Sequence, residues 1–417
     1  MFLPITSDSR ALRATWIVWG LIVLLGSVVV VCHPECQQAN DSYARGATRW
    51  RAGEDLYDQG GSGFIYLPQS AILYAPLTLL PRPFEQAVWR LVTIGLFAAG
   101  ISRLCGMARN QSGVEFFPLV TLPVLPKAWA GVIHGQAAAA MAGLSMLAVG
   151  EICRQRWLRA AALLIAALAF KPLAIVLILL VAALYRLLTG RLMLGLAGLF
   201  LVPFLTQHTD YVTRQYLASI DMFQQAARAG QTTEWPHLFS LASLAGIEIN
   251  ATWRTVARLA AALGTLALCW RVKSEVGNPK SQSVSRSLLT IYSLATVYLL
   301  LFNPRTENNS YLILSPVMAL LCVQGYFVEG RSTRSALFLA GTIALFAGHE
   351  ICRFLTPQVG FVWISTLACL LFGVDLVRGV LSPARASPPE PSHADAKLAP
   401  PHGRNLKPRH ALPRSAN

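Results

Sequence analysis

A chain of 417 residues in which 54% are apolar and only 13% charged carries about half the charge of a soluble domain, for which about 25% is usual. At a mean hydropathy of +0.49 the apolar surplus cannot all turn inward, which excludes a soluble enzyme, a disordered chain and a disulfide-stapled secreted module. The 35 Lys and Arg outweigh 20 Asp and Glu to give +15, yet the cations sit in short clusters between apolar runs and in the C-terminal tail, as membrane topology requires and nucleic-acid binding does not.

A bilayer core about 30 Å thick takes about 20 apolar residues per helix. Runs of that kind occur near 15–32, 84–107, 114–130, 135–153, 190–206, 251–270, 287–302, 311–328, 335–352 and 358–379. Between them, 157–187 is apolar throughout except for Lys171-Pro172 and is too long for one span. Proline removes a backbone donor and pushes the preceding residue out of the helical region, so this stretch reads as two short helices meeting at Lys171-Pro172. The expectation is an all-α polytopic membrane protein with about 10–12 transmembrane helices. A cytoplasmic N-terminus covers 1–14, the membrane domain 15–380 and a basic tail 381–417.

Alternate connections hold Arg10/Arg13, Arg103/Arg109, Arg154/Arg156/Arg159, Arg186/Arg191, Arg271/Lys273/Lys280/Arg286 and Arg331/Arg334, and the positive-inside rule assigns these to the cytoplasm. The intervening connections hold little beyond Lys127, Lys171, Arg305 and Arg353. This alternation requires 67–81, which contains Pro68 and Pro76, to lie in the interface or re-enter without crossing. The first apolar run follows two arginines as a signal peptide does. It lacks a small-residue cleavage site, and Val31 before Cys32 makes a poor lipoprotein signal, so a retained anchor is expected. The tail, rich in Pro, Ala and Arg, is expected to be disordered in the cytoplasm and in touch with anionic lipid. Most of the eight cysteines are scattered singly in the spans, whereas Cys32 and Cys36 are spaced either for an extracytoplasmic disulfide or for two free thiols.

With the chain threaded this way, unusual polar residues converge on the outer face. The first outer loop, 33–83, opens with helical promise over Asp41–Arg51, where Tyr43, Ala47 and Trp50 share one face. Asp41 serves there either as a general base or as a helix N-cap, and Glu54, Asp55 and Asp58 read as a solvated rim. The hairpin GVIHGQ presents His134 and Gln136, and a second large outer loop, 207–250, carries Asp210, Asp221, Glu234 and His237. The connection NPRTENNSY brings Arg305 and Glu307, which pair with each other in the plainest reading. Lys171 is harder to dismiss, because an ammonium inside an apolar run is costly and usually has a partner or a function. A carboxylate, an amide, a histidine and two cations at one depth on different helices are what group transfer on an amphiphilic substrate needs.

Four stretches carry a likeness to known proteins: Asp41 and Tyr43 followed by AGEDLYD at 52–58, FIYLPQSAILYAPLTLLP at 64–81, Gly135-Gln136 opening a span, and Lys171-Pro172. In these the chain resembles glycosyltransferase family 87, in order over about residues 10–330. The family includes polyprenol-phosphate-mannose-dependent α-mannosyltransferases of the C-type glycosyltransferase fold. Asp41 stands closer to Gly53 than the family's aspartate does and is followed by Ser42 rather than an aromatic, and NPRTENNSY also differs from the mannosyltransferase versions.

The resemblance implies a polyprenyl-phosphate sugar donor, with mannose as the expected sugar, and a glycolipid or polysaccharide acceptor, with membrane lipids around and no nucleic acid. Asp41 is the expected catalytic base, with Asp55 or Asp58 as alternatives on the same loop. Lys171 and Arg305 are expected to stabilise the departing phosphate, with His134 and Gln136 as hydrogen-bonding partners. Tyr43, Trp50, Tyr66 and Glu307 are expected to contact sugar or acceptor; Tyr66, Tyr74 and Trp50 equally suit interfacial anchoring. No metal or cofactor is expected, since no Asp-x-Asp motif occurs on the outer loops. The implied setting is a bacterial plasma (inner) membrane, crossed many times, with the active site toward the periplasm or exterior. The rivals are a transporter or flippase, against which stands the lack of an internal repeat, and a non-catalytic scaffold.

Overall fold

The computed structural model describes residues 9–33, 39–58, 63–112, 114–229, 235–275, 281–328, 330, 332–355 and 362–382. Cys36, Glu234, Lys280, Arg331 and the tail beyond 382 lie outside them, so the expectations that rest on those residues are not addressed. Among the described residues the chain is helical without strands. Eight helices among the described residues are long and apolar enough to cross a membrane, and four shorter apolar helices accompany them. The chain is an all-α polytopic membrane protein.

Helix α1 (Ser9–Cys32) packs against α4 (Arg82–Ser112) and α5 (Phe117–Ile133). Between α1 and α4 come the short α2 (Ala39–Ala52) and α3 (Pro68–Tyr74), then a 3-10 turn over Ala75–Leu79. Segment 67–81 is thus too short to cross a bilayer. At the centre stands α6 (Ala137–Cys153), whose AAAAMAG start is buried on nearly every side, as expected of a helix apolar all round. Its Gly143 has no space for a Cβ because the Leu96 carbonyl of α4 lies against it, so backbones approach as small residues allow in membranes.

The long apolar stretch breaks where proline dictates. Helix α7 (Trp157–Phe170) stops at Lys171, which is extended at φ −151° and ψ 128°. A 3-10 turn over Pro172–Ala174 then leads into α8 (Ile175–Leu184). Helices α9 (Arg186–Leu201) and α12 (Ala251–Ser274) flank this pair and expose Leu187, Met193, Leu194, Leu259 and Leu263, the surface a lipid chain wets. The intervening outer segment is largely helical, as α10 (Thr209–Ala229) and α11 (Leu238–Leu244). Helices α13 (Ser281–Phe302), α14 (Ser315–Phe327), α15 (Thr333–Leu355) and α16 (Val362–Leu381) complete the bundle.

Contacts between helix termini define two ends. At one, Arg103 donates to the Gly150 carbonyl at 2.9 Å, Trp157 stacks on Tyr185, Lys273 donates to the Leu184 carbonyl, and Cys153 meets Ser285 at 3.3 Å. At the other, the Tyr43 hydroxyl donates to the Phe170 carbonyl at 2.7 Å, Ser70 to Ala169 at 2.7 Å, and Arg258 to Phe302 at 3.1 Å. Two details of the sequence reading change. Arg10 and Arg13 lie within α1, which starts at Ser9. Lys127 belongs to no connection: it is inside α5, only 1% exposed, and ion-paired with Glu350 of α15. An apolar helix hosts it because the opposite charge is supplied from across the bundle.

Candidate active site

The first outer segment is built on a tyrosine core. Along α2, Tyr43, Ala47 and Trp50 are all buried, as their helical spacing predicts. Tyr43 packs on Tyr66 with ring centroids 4.2 Å apart and on Trp89 at 5.2 Å. Burial raises the phenol pKa of both Tyr43 and Tyr66, in Tyr66 against the pull of the Lys171 ammonium. Burial thus disfavours the phenolate form of both. Trp50 donates to Thr206 Oγ1 at 3.2 Å and packs on Tyr211 at 5.2 Å. Helix α10 closes over this loop: Tyr211 donates to the Glu54 carbonyl at 2.6 Å, and Gln215 accepts the Leu56 amide at 3.0 Å.

Lys171 lies beneath that core, 6% exposed, with Nζ 3.4 Å from Glu307 Oε2. Glu307, Tyr66 and Arg305 all act electrostatically on its charge. Arg305 and Glu307 belong to the connection after α13, which Thr306 pins by donating to the Leu300 carbonyl at 2.9 Å. The Arg305 guanidinium lies over the Trp235 ring, 4.8 Å from its centroid. The expected Arg305–Glu307 pairing gives way to Glu307–Lys171, because the turn at Thr306 delivers the carboxylate to the helix break.

Asp41 lies in the first turn of α2 rather than at its cap, and it pairs with Arg82 at the start of α4. Arg82 also holds Glu85 at 2.8 Å, and Glu85 accepts from the Tyr74 hydroxyl at 2.7 Å. Asn40 donates to Tyr74 and to Gln86, each at 3.0 Å. This network grips the turn at His134–Gln136. The His134 carbonyl accepts the Ala39 amide at 2.9 Å, and Trp89 donates to the Gly135 carbonyl at 2.8 Å. The fully buried Arg90 donates to the Val132 and Ile133 carbonyls at 2.9 and 3.2 Å, satisfying the C-terminal acceptors of α5. Gln136 then starts α6, 6% exposed.

The structure therefore gathers Tyr43, Tyr66, Lys171, Arg305 and Glu307 into one neighbourhood. It joins Asp41, His134 and Gln136 through the start of α2. Tyr43 is sealed off and Trp50 nearly so, at 0% and 3% exposure, whereas Glu54, Asp55 and Asp58 form the exposed rim that the sequence predicts, Asp58 pairing with Arg49. Among the described residues, no three His, Cys, Asp or Glu side chains are grouped to hold a metal. Arg82, Glu85, Arg90 and Asn40 escaped the sequence reading. A basic residue inside an apolar run was the available signal for Arg90, and an Arg–Glu pair at i,i+3 for Arg82 and Glu85.

Among curated proteins, none matches the chain. The model of glycosyltransferase family 87 matches residues 64–304, more than half of the chain, from the aromatic-proline run through the helix break at Lys171-Pro172 to the residue before Arg305. That span holds His134, Gln136 and Lys171 and starts after Asp41. A membrane-crossing helical bundle with a polar site at one end thus carries glycosyl transfer, and the chain belongs to glycosyltransferase family 87.

Proposed function

We propose that this glycosyltransferase moves a sugar, mannose, from a polyprenyl-phosphate donor to a hydroxyl of a glycolipid or polysaccharide acceptor at the extracytoplasmic face, by metal-independent inversion. The observation that carries the reading is the Tyr43–Phe170 hydrogen bond, which docks the helix bearing Asp41 onto the break bearing Lys171. A carboxylate and a buried ammonium thereby share one end of the bundle. The arginine clusters at the opposite end support an outward site, since they favour the cytoplasm. Nucleotide sugars stay in the cytoplasm, so an outward site calls for a lipid-linked donor, here in a bacterial plasma membrane.

In this mechanism Asp41 takes the proton of the acceptor hydroxyl as that oxygen attacks the anomeric carbon from the face opposite the phosphate. The sugar–phosphate bond breaks and its electron pair leaves on the lipid phosphate. Lys171 and Arg305 offset the charge that develops there, Glu307 yielding Lys171 to the phosphate, with His134 and Gln136 as further donors. Arg82 holds Asp41 in orientation until an acceptor arrives. Tyr66 lines the sugar side, while Tyr43 and Trp50 support it from below.

The test is a membrane assay with radiolabelled polyprenyl-phosphate mannose. Asp41→Asn should cut transfer by about 10²–10⁴-fold. Lys171→Ala should weaken donor use, and Lys171→Arg should retain part of it. Transfer that survives Asp41→Asn but is lost in Asp55→Asn or Asp58→Asn moves the base along the loop. Equal activity in the two Lys171 variants removes its phosphate role. If wild type consumes no polyprenyl-phosphate sugar, the donor assignment fails.

A further inference from the structure

A second polar cluster lies inside the bundle, and the mechanism does not use it. Lys127 of α5 pairs with Glu350 of α15; they are 1% and 7% exposed. Lys127 also donates to Ser365 Oγ of α16 at 3.2 Å and lies over the Phe346 ring at 5.2 Å. Ser365 Oγ in turn stands 2.7 Å from Nδ1 of the buried His349. Loss of either partner would leave an uncompensated charge away from water, so the pair ties α5 to α15 where they meet. The cluster touches the connection that follows Glu307: the Asn308 amide donates to the Glu350 carboxylate at 3.3 Å, and the Tyr311 ring lies 6.1 Å from that of Phe346.

Asn308 follows Glu307 directly and opens the 3-10 segment Asn308–Ile313. Farther along that segment, the buried Tyr311 hydroxyl donates to the Pro236 carbonyl at 2.8 Å and accepts from the Thr366 hydroxyl at 3.0 Å. The segment is therefore anchored at two points by α15, α16 and the stretch before α11. The Glu350 and Thr366 anchors lie beyond the residues matched by the family model, which end at 304.

We infer that Glu350 and Asn308 are positioning residues: a Glu350 side-chain oxygen holds Asn308, Asn308 sets Glu307 and Arg305 against Lys171, and Lys127 serves to neutralise the buried carboxylate. The geometry of the phosphate end of the donor site is thereby governed in part by α15, which lies beyond the matched residues. The inference deepens the proposed function, on which its kinetic readout rests.

Two double variants of the full-length protein separate positioning from packing. Lys127→Met with Glu350→Gln removes both charges but keeps an acceptor for Asn308. Lys127→Met with Glu350→Leu removes the charges and the acceptor. The Gln double should keep the donor KM within about twofold of wild type. The Leu double and Asn308→Ala should each raise it roughly five- to tenfold with kcat little changed. Hydrogen exchange of the amides over 306–313 in the purified protein should accelerate roughly tenfold in the latter two and stay at the wild-type rate in the Gln double. One shared KM and one shared exchange profile in the two doubles would overturn the inference. Should neither double fold, Asn308→Ala decides by the same two readouts, and an unchanged value in both sinks it. Wild type that consumes no polyprenyl-phosphate sugar removes the proposed function, and the exchange measurement alone then decides the positioning role.

Discussion

Gly135 turns the chain between α5 and α6 at φ +58°, and a Cβ built on it would lie 2.5 Å from Asn40 Oδ1. Both facts penalise any other residue there. The left-handed backbone costs a side chain about 1–2 kcal/mol, and the crowding falls on the residue that precedes Asp41. Gly135→Ala should therefore lower stability by about 1–2 kcal/mol, read as a fall in the midpoint of thermal unfolding. Transfer activity should fall further than that loss explains, because Asn40 must shift and carries the start of α2 with it. Activity that merely tracks the folded fraction would show that the turn is structural. Gly135-Gln136 was legible in the sequence as a motif, but its tertiary partner was not. Asn40, Arg82 and Arg90 acquire their meaning from residues tens of positions away, and Arg90 disappears into a run scored as apolar on average. Lys171 was legible for the opposite reason: proline beside it marks a break, and a charge at a break demands a partner.

Among the elements, the break at Lys171-Pro172 most directly links sequence to site. Helix α7 has 14 residues and so spans about 21 Å, short of a bilayer core. What the short pair gains is an end placed among polar partners. Pro172 keeps Lys171 extended, and without it α7 and α8 can join into one long helix that carries the ammonium away from Glu307. Pro172→Ala should thus lower kcat/KM for the lipid-linked donor by about tenfold, or about 1.4 kcal/mol in transition-state terms, while the thermal midpoint moves by only a few degrees. Unchanged kinetics would mean that packing alone holds the break. The apolar runs located this and the other bundle helices because length and composition suffice to find a span. Helix α10 was read only as part of a loop, although Tyr211, Gln215, Ser219, Met222 and Ala226 recur at helical spacing and are all buried, Tyr211 and Gln215 against the first outer segment. Charged and amide residues between them hid the period.

At the scale of the whole molecule, the contacts described between helix termini agree with a single alternation of up and down helices, and the alternation makes orientation testable without reference to chemistry. Ala245, just after α11, lies at the end that holds Lys171, whereas Glu275, just after α12, lies at the end where Lys273 meets Leu184; both are exposed. Neither takes part in the site. In a background with Cys32, Cys36 and Cys352 replaced by serine, Ala245→Cys should react with a membrane-impermeant maleimide from the exterior of sealed vesicles of known sidedness. Glu275→Cys should react only after the vesicles are opened. The reverse pattern would put the site in the cytoplasm, where nucleotide sugars compete as donors and the argument for a lipid-linked one lapses. Labelling of both cysteines from one side would contradict the bundle itself, since α12, with 24 residues and about 36 Å of length, stands between them.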